Sequence, residues 1–312
     1  MKLSHLNIVA AVAERGSLRA AARQLNIAQP AITRSIREIE SELGVALFER
    51  RPKGTVLTPM GELFLKRATS VLGELRRARE EIDQARGVMT GQVAVALSTA
   101  AQISLLPSAL AAFRKRYPDV LISVRDGLFP AVESKLKDGE FDFYVGPLPE
   151  FAPAADFVVE KLFDNTLVIL GRKGHPLSGA RSLGDLVGAR WISTSVTIDS
   201  SAELEPFFER YGLPKPIIDL SMSSGVTGMP AMANSDLLIM VPEQWLSLSP
   251  FIQTMKAFEI AEPLPAPPIC LVTRARLPLT PAAQYFADLF SRAGLHYVQA
   301  RQDGEAKRRM QR

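Results

Sequence analysis

Gln29, Thr33, Arg34 and Arg37 fall on one side of a single helical repeat, with Pro30 at its start, and Arg50, Arg51 and Lys53 follow in a short cationic turn. Glutamine can bond both edge atoms of adenine, arginine can grip guanine or a phosphate, and threonine suits a thymine methyl or a phosphate oxygen. Cations in a projecting turn reach phosphates or a minor groove. Together these residue types can read double-stranded DNA, although a solvated helix face with stray cations uses the same residues. A second set lies further on. Ser98, Thr99, Ala100, Ala101 and Gln102 follow an apolar strand and open a helix. Their two hydroxyls and free amides form a cradle for a carboxylate or sulfonate, or else a plain helix cap. Ser193, Thr194 and Ser195 repeat that chemistry after a later strand. Gly127, Leu128, Phe129 and Gly146 follow other strands and are expected to line the same cleft. Phe129 and Trp191 are candidate aromatic walls, and Ser223 and Ser224 are further candidates.

Enzyme chemistry finds little footing. The three histidines (His5, His175, His296) are isolated, and acidic residues are too scattered to nominate a pair. No nucleophile elbow, phosphate loop, dinucleotide fingerprint or metal-spaced cluster is present. No catalytic residue, metal site or cofactor is expected.

The elements that hold these residues can be read from periodicity. A helix over about Leu3–Glu14 is stopped by Gly16, and Ser17 caps a short alanine-rich helix, Leu18–Leu25. After a turn at Asn26–Ala28 a third helix begins with Pro30 in its first turn. Ile32, Ile36, Ile39 and Leu43 form its apolar stripe, opposite the polar row. Two short helices joined by a tight turn make a helix-turn-helix. Phe48–Thr58, with Pro52 and Gly54 at its centre, reads as a β-wing. A long helix follows to about Met89. Ala68, Leu75, Ile82 and Met89 repeat every seven residues beside Leu65 and Leu72, as a dimerising seam does. From Gly91 onward strands at 92–97, 120–125, 141–145, 166–170, 191–193, 217–222, 237–241 and 269–273 alternate with helices. One helix runs to Tyr117 and another lies near Ala131–Lys137. This predicts an α/β architecture with mainly parallel strands in two small sheets.

Bulk properties agree. The 312 residues are 47% hydrophobic and 22% charged, enough for two domains with sizeable cores. Residues 1–90 hold 15 Lys and Arg against 10 Asp and Glu, and residues 301–312 hold 5 against 2, so the body between is mildly acidic. A basic front on an acidic body suits a nucleic-acid reader with a separate small-molecule domain. The single cysteine, Cys270, sits in an apolar run and reads as a buried thiol in a reducing compartment. Lys2 and the stretch Leu6–Ala13 imitate a signal peptide, but Asn7 interrupts it and the apolar spacing is helical, so a cytoplasmic N-terminus is expected. No apolar run reaches membrane-spanning length.

Gly16 to Arg50, with Ala20-Ala21-Ala22, Leu25, Gln29-Pro30-Ala31, Ile36, Glu40, Leu43-Gly44 and Leu47-Phe48-Glu49-Arg50, resembles the LysR-type transcriptional regulators, as do Leu57-Thr58, Gly61 and the long helix. The resemblance runs more weakly to about residue 300. Ala28 stands where the family usually carries a capping serine, a loss of roughly 1 kcal/mol at the helix end. Thr33 stands where serine is common and keeps the hydroxyl. Arg125-Asp126-Gly127 and Leu136–Phe143 look most like regulators of aromatic acid or sulfonate catabolism. The resemblance implies a winged helix-turn-helix over 1–58 that binds promoter DNA, a linker and dimerisation helix over 59–89, and an effector domain over 90–300. That domain is a pair of Rossmann-like subdomains, like a periplasmic binding protein: 90–162 with 268–300, and 163–267. The chain would cross between them near 161–165 and 263–268, with a small-molecule effector in the cleft. Residues 301–312 are expected to be a disordered basic tail. Dimers assembling into tetramers, and contact with RNA polymerase, are expected partners. A solute-binding protein or an enzyme of similar fold is the alternative, but neither accounts for the basic three-helix front.

Overall fold

The structure, a computed structural model, describes residues 1–52, 54–148, 155–194, 203–222, 225–248 and 253–310. Three helices open the chain: α1 (Leu3–Arg15), α2 (Leu18–Leu25) and α3 (Gln29–Leu43). Gly16 ends α1 in the left-handed region at φ 61°, which glycine adopts at no steric cost. The Ser17 hydroxyl caps α2 by accepting from the Ala20 amide. Ile8, Ala11 and Val12 of α1, Ala21 and Ala22 of α2, and Ile32 and Ile36 of α3 pack into one small core. Leu43, expected in the buried stripe, is the last residue of α3 and is 40% exposed.

A two-stranded ribbon follows, β1 (Phe48–Arg51) and β2 (Gly54–Leu57), paired antiparallel from Phe48 opposite Leu57 to Arg51 opposite Gly54. The helix α4 (Pro59–Ala85) begins at once, capped by the Thr58 hydroxyl at the Gly61 amide. Gly61 admits no side chain, since a Cβ there would lie 2.0 Å from the Leu47 carbonyl oxygen.

The remainder is α/β. In order come β3 (Thr90–Leu97), α5 (Thr99–Ser104), α6 (Leu106–Arg116), β4 (Asp119–Asp126), α7 (Glu133–Lys137), β5 (Phe143–Pro147) and β6 (Phe157–Arg172). These are followed by β7 (Arg190–Ser193), α8 (Glu205–Arg210), β8 (Ile217–Ser221), α9 (Gly225–Ala233), β9 (Leu237–Pro242), β10 (Met255–Phe258), β11 (Pro265–Arg274) and α10 (Pro281–Met310). The helix anticipated to Tyr117 is broken at Leu105, just before Pro107, giving α5 and α6. The strands form one hydrogen-bonded path, β4-β3-β5-β11-β6-β9-β7-β8, with β10 on β6. The mainly parallel expectation therefore holds only at the two ends: β3 lies parallel to β4 and β5, and β7 parallel to β8 and β9. The centre is antiparallel, because β6 and β11 run back and forth between two lobes.

The strand expected at 166–170 is thus the second half of β6, a 16-residue strand. Its first half pairs with β11 in the first lobe and its second half with β9 and β10 in the second. The two crossovers lie side by side, with Thr166 opposite Pro265 and the Leu167 amide donating to the Leu264 carbonyl. Pro267 and Pro268 fall where the β6–β11 register slips, a position that tolerates their missing N–H groups. Cys270 is buried in β11, and that burial pushes its thiol up. Residues 301–310, expected to be disordered, continue α10 as helix. Among the described residues no helix is long and apolar enough to cross a membrane.

The long helix leaves its heptad seam partly open. Ile82 of the heptad seam is 61% exposed, as are Leu63 and Val71 in large part, whereas Arg77 and Gln84 are buried. The first half of α4 packs on the head, with Phe64 and Leu65 against Val9, Ile39 and Leu47, and its second half packs on the first lobe through Arg77 and Gln84, leaving Leu63, Val71 and Ile82 outward. The Arg77 guanidinium donates to the Gly139 carbonyl at 2.8 Å, to Asp142 at 3.3 Å and to Glu74 at 2.6 Å. Arg274 of β11 meets the same Glu74 oxygen at 2.7 Å, and the second Asp142 oxygen accepts from the Ala94 amide at 2.8 Å. Gln84 donates to the Thr90 carbonyl and accepts from the Ala282 amide, which ties the end of α4 to β3 and α10. Burial raises Asp142. Burial also works upward on Glu74, but hydrogen bonds from Arg77 and Arg274 outweigh it and hold that carboxyl low.

Arg77→Ala leaves the Asp142 carboxylate buried without its partner and is expected to lower stability by about 3–5 kcal/mol in urea unfolding at neutral pH. Because the paired Glu74 titrates below its unfolded value, its contribution is present at neutral pH and lost on acidification. The gap between wild type and Arg77→Ala therefore narrows as pH falls through the carboxylate range; a gap constant with pH contradicts this assignment.

Candidate nucleic-acid interface and ligand cleft

The isoleucines of α3 face inward, so its other side is left to solvent. Gln29, Pro30, Arg34 and Arg37 are exposed, and with half-buried Thr33 they line a shallow concavity of the head shared with Glu38, Ser41 and Glu42. Among the described residues neither Arg34 nor Arg37 makes an ion pair, which leaves both guanidinium groups free for an incoming anion. The two acids on this face are engaged: Glu42 by the N-terminal ammonium at 2.8 Å, and Glu38 by the His5 ring at 3.4 Å. The Thr33 hydroxyl donates back to the Gln29 carbonyl, so it presents mainly its methyl group.

The ribbon is held against α3 by Glu40, a residue that sequence reasoning passed over as a site residue. One carboxylate oxygen accepts from the Leu47 amide at 2.7 Å and the Phe48 amide at 3.1 Å. A further tie runs from the Thr55 amide to the Gly16 carbonyl. Arg50 and Arg51 are exposed on β1, and Arg51 folds onto Glu49 at 2.5 Å. Ser17 is half-buried and spends its hydroxyl on the cap. Lys53 lies outside the described residues.

Between the lobes lies a cleft of about 840 Å³, of the size that takes a small ligand. Ser98, Thr99, Ala100, Gly127, Leu128 and Phe129 all line it, as expected. Ala101 does not, being fully buried, and Gly146 is packed behind the wall, where a Cβ would meet the Tyr144 hydroxyl at 2.2 Å. The Ser98 hydroxyl accepts from the Ala101 amide, so this serine is largely a helix cap, and Gln102 reaches Asp126 at 2.9 Å. From the second lobe Thr194 reaches the cleft, Ser193 is buried outside it, and Ser195, Ser223 and Ser224 lie outside the described residues. Trp191 is not a wall. It sits in the second lobe's core with Phe208 edge-on at 5.7 Å, and Trp245 is the tryptophan that faces the cleft. Phe129 lines the cleft and packs on Tyr144 and Phe157.

Several lining residues were not among the nominated site residues: Arg125 and Asp126, marked only by the family resemblance, and Lys135, Asn165, Glu203 and Phe207. Asp126 is raised by partial burial against opposing hydrogen bonds from Gln102 and the Gly127 amide. Burial raises Glu203 too, against bonds from the Thr194 hydroxyl and amide. Among the described residues no cluster of side chains suits a metal ion.

Two family models match the chain: "Bacterial regulatory helix-turn-helix protein, lysR family" over residues 3–62 and "LysR substrate binding domain" over residues 86–294. The HTH-type transcriptional regulator GbpR of Azospirillum brasilense is 28% identical over 239 residues, 76% of this chain and 70% of that protein. The HTH-type transcriptional regulator TdcA of Escherichia coli strain K12 is 27% identical over 241 residues, 77% of each chain. The crystal structure of CbnR, a LysR family transcriptional regulator, superposes with a TM-score of 0.71 at 22% identity, covering 94% of this chain and 99% of that one. Full-length CbnR complexed with its target DNA gives the same TM-score at 23% identity, covering 94% and 100%.

Glu40→Ala removes the acceptor for two amides at the base of the ribbon and is expected to destabilise the head by about 1–3 kcal/mol. Hydrogen exchange reads it directly: the Leu47 and Phe48 amides lose protection while those of α1 keep theirs. Unchanged protection at both amides refutes the role given to Glu40.

Proposed function

The chain belongs to the LysR family of bacterial helix-turn-helix regulators, and from that premise we propose that it reads promoter DNA with the exposed row of α3 under the control of a small molecule bound in the interlobe cleft. The observation that carries the DNA reading is that Gln29, Arg34 and Arg37 stand exposed on one side of a helix whose other side is buried isoleucine. A helix so placed enters a major groove: Gln29 and Arg34 meet base edges, Thr33 offers a methyl group, and Pro30 and Arg37 lie against the backbone. Ser17, at the start of α2, and Arg50, Arg51 and Lys53 of the wing contact phosphates or the minor groove.

The functional division is 1–58 for DNA, 59–89 for linkage and self-association, and 90–300 for the effector, its two subdomains meeting at β6 and β11. The outward apolar face of α4 supports dimers, and dimers of dimers assemble on the promoter, where RNA polymerase is a further partner. In the cleft an acidic group, carboxylate or sulfonate, lies near Ser98 and Thr99 with Arg125 beside it, and an apolar or aromatic body lies against Leu128, Phe129 and Phe207. Effector binding changes the angle between lobes and, through α4, the spacing of paired heads.

DNA fragments recovered from genomic DNA by the full chain provide the test. In band shifts on such a fragment, Gln29→Ala is expected to cost about 1–3 kcal/mol and relax base preference, whereas Arg37→Ala weakens all sequences alike and lowers the salt slope by about one. Unimpaired binding by the double variant Gln29→Ala/Arg34→Ala excludes the major-groove reading.

A further inference from the structure

The two walls of the cleft differ in charge. The first lobe contributes the hydroxyl of Thr99 and two cations, Arg125 and Lys135, beside the acid Asp126. Asp126 is already bonded by Gln102, and Lys135 is shared with Glu140 at 3.4 Å. The lining of the second lobe is apolar except for Thr194 and Glu203, and Asn165 lies at the crossover between the two. Both Glu203 oxygens take bonds from the Thr194 hydroxyl at 3.1 Å and one takes the Thr194 amide at 3.2 Å, and among the described residues no cation pairs with this carboxylate. Asn165 is only 7% exposed, and among the described residues its side-chain oxygen has no hydrogen-bond partner. This pole therefore offers acceptors to whatever enters. A purely anionic ligand would lie against a carboxylate that only Thr194 bonds, and a purely apolar one would bury that carboxylate without a counter-cation and leave the Asn165 oxygen without a donor.

We infer that the effector is dipolar: its acidic group faces the first lobe, and an ammonium, or a cation that donates hydrogen bonds as strongly, faces Glu203 of the opposite wall and Asn165 at the crossover. This rests on the cleft being the effector site. A ligand with both poles spans the lobes and pairs with each wall, whereas a ligand with one pole satisfies one wall only. The partial desolvation of Glu203 sharpens the preference, because a carboxylate removed from water gains more from a directly bonded cation.

The experiment uses the full chain and probes that differ only in their poles: indolepropionate, tryptamine and tryptophan, with isocaproate, isoamylamine and leucine as an aliphatic series. Binding is read by calorimetry and by the shift in melting temperature, in wild type, Glu203→Gln and Val132→Trp, the last enlarging a side chain of the cleft wall so that it fills the space. At least one amino acid is expected to bind more tightly than its matched acid, and Glu203→Gln is expected to weaken that amino acid about tenfold or more while leaving the acid unchanged. Retained acid binding also shows that the variant is folded. Acids that bind as well as or better than their amino acids, or amino-acid binding equal in wild type and Glu203→Gln, overturns the dipolar assignment and leaves the cleft standing. Probes that bind equally to Val132→Trp, or a panel in which nothing binds, overturns the cleft as effector site and the dipolar assignment with it.

Discussion

The buried pairing of Arg77 with Asp142 fixes how the two halves of this chain sit on one another. Arg77 comes from the long helix α4, Asp142 from the turn before β5, and Arg274 and Glu74 close the group from β11 and from α4 itself. Two cations and the Asp142 carboxylate are removed from water, with the half-buried Glu74 closing the group at its rim, and each buried charge alone would be strongly disfavoured. Gly139 belongs to the same arrangement, because a side chain there would collide with the Arg77 guanidinium at 2.2 Å. The contact fixes the axial position of α4 against the first lobe to within a hydrogen-bond length. Everything α4 carries at its other end, including the head, inherits that position.

At the head a different balance operates. The core of α1, α2 and α3 is small, and alanines let the helices approach closely. Burying only one face of α3 frees the other to hold uncompensated arginines, a distribution that is stable in water and receptive to an anionic surface. Glu40 joins the two requirements: its carboxylate belongs to the helix that presents the arginines, yet it holds the ribbon that adds two more.

Much of this was legible in the sequence because periodicity and capping signals are local. Ser17, Gly16 and Pro30 mark helix ends by their own backbone preferences, and Ile32, Ile36 and Ile39 mark an inward face by spacing alone. Ser98, Thr99, Gly127, Leu128, Phe129 and Thr194 were found because they follow strands, and strand ends converge at the cleft. Other features depended on distant partners. The heptad of α4 marks a seam that a single chain leaves open at Ile82, whereas the burial of Arg77 and Gln84 rests on partners, Asp142 and Ala282, that are far away in sequence. Trp191 and Trp245 could not be ranked as walls without knowing which strand face each occupies. Asn165 and Glu203 sit in no pattern, and their meaning appears only when the lobes meet. The length of β6 was hidden because Glu160, Lys161, Asp164 and Asn165 interrupt its apolar alternation where it crosses between lobes.

That strand bears on how such a chain can change over generations. Side chains of a strand alternate between faces, so one residue inserted near Asn165 would turn the whole second half of β6 inside out relative to the first. The neighbouring crossover at Leu264–Ala266 is bound to it, and the register already slips between Ala266 and Cys270, so a further residue has to be taken up in that same shared stretch. A viable exchange of ligand preference between relatives must therefore carry both crossings as one inherited block, or leave them untouched and vary the loops around them.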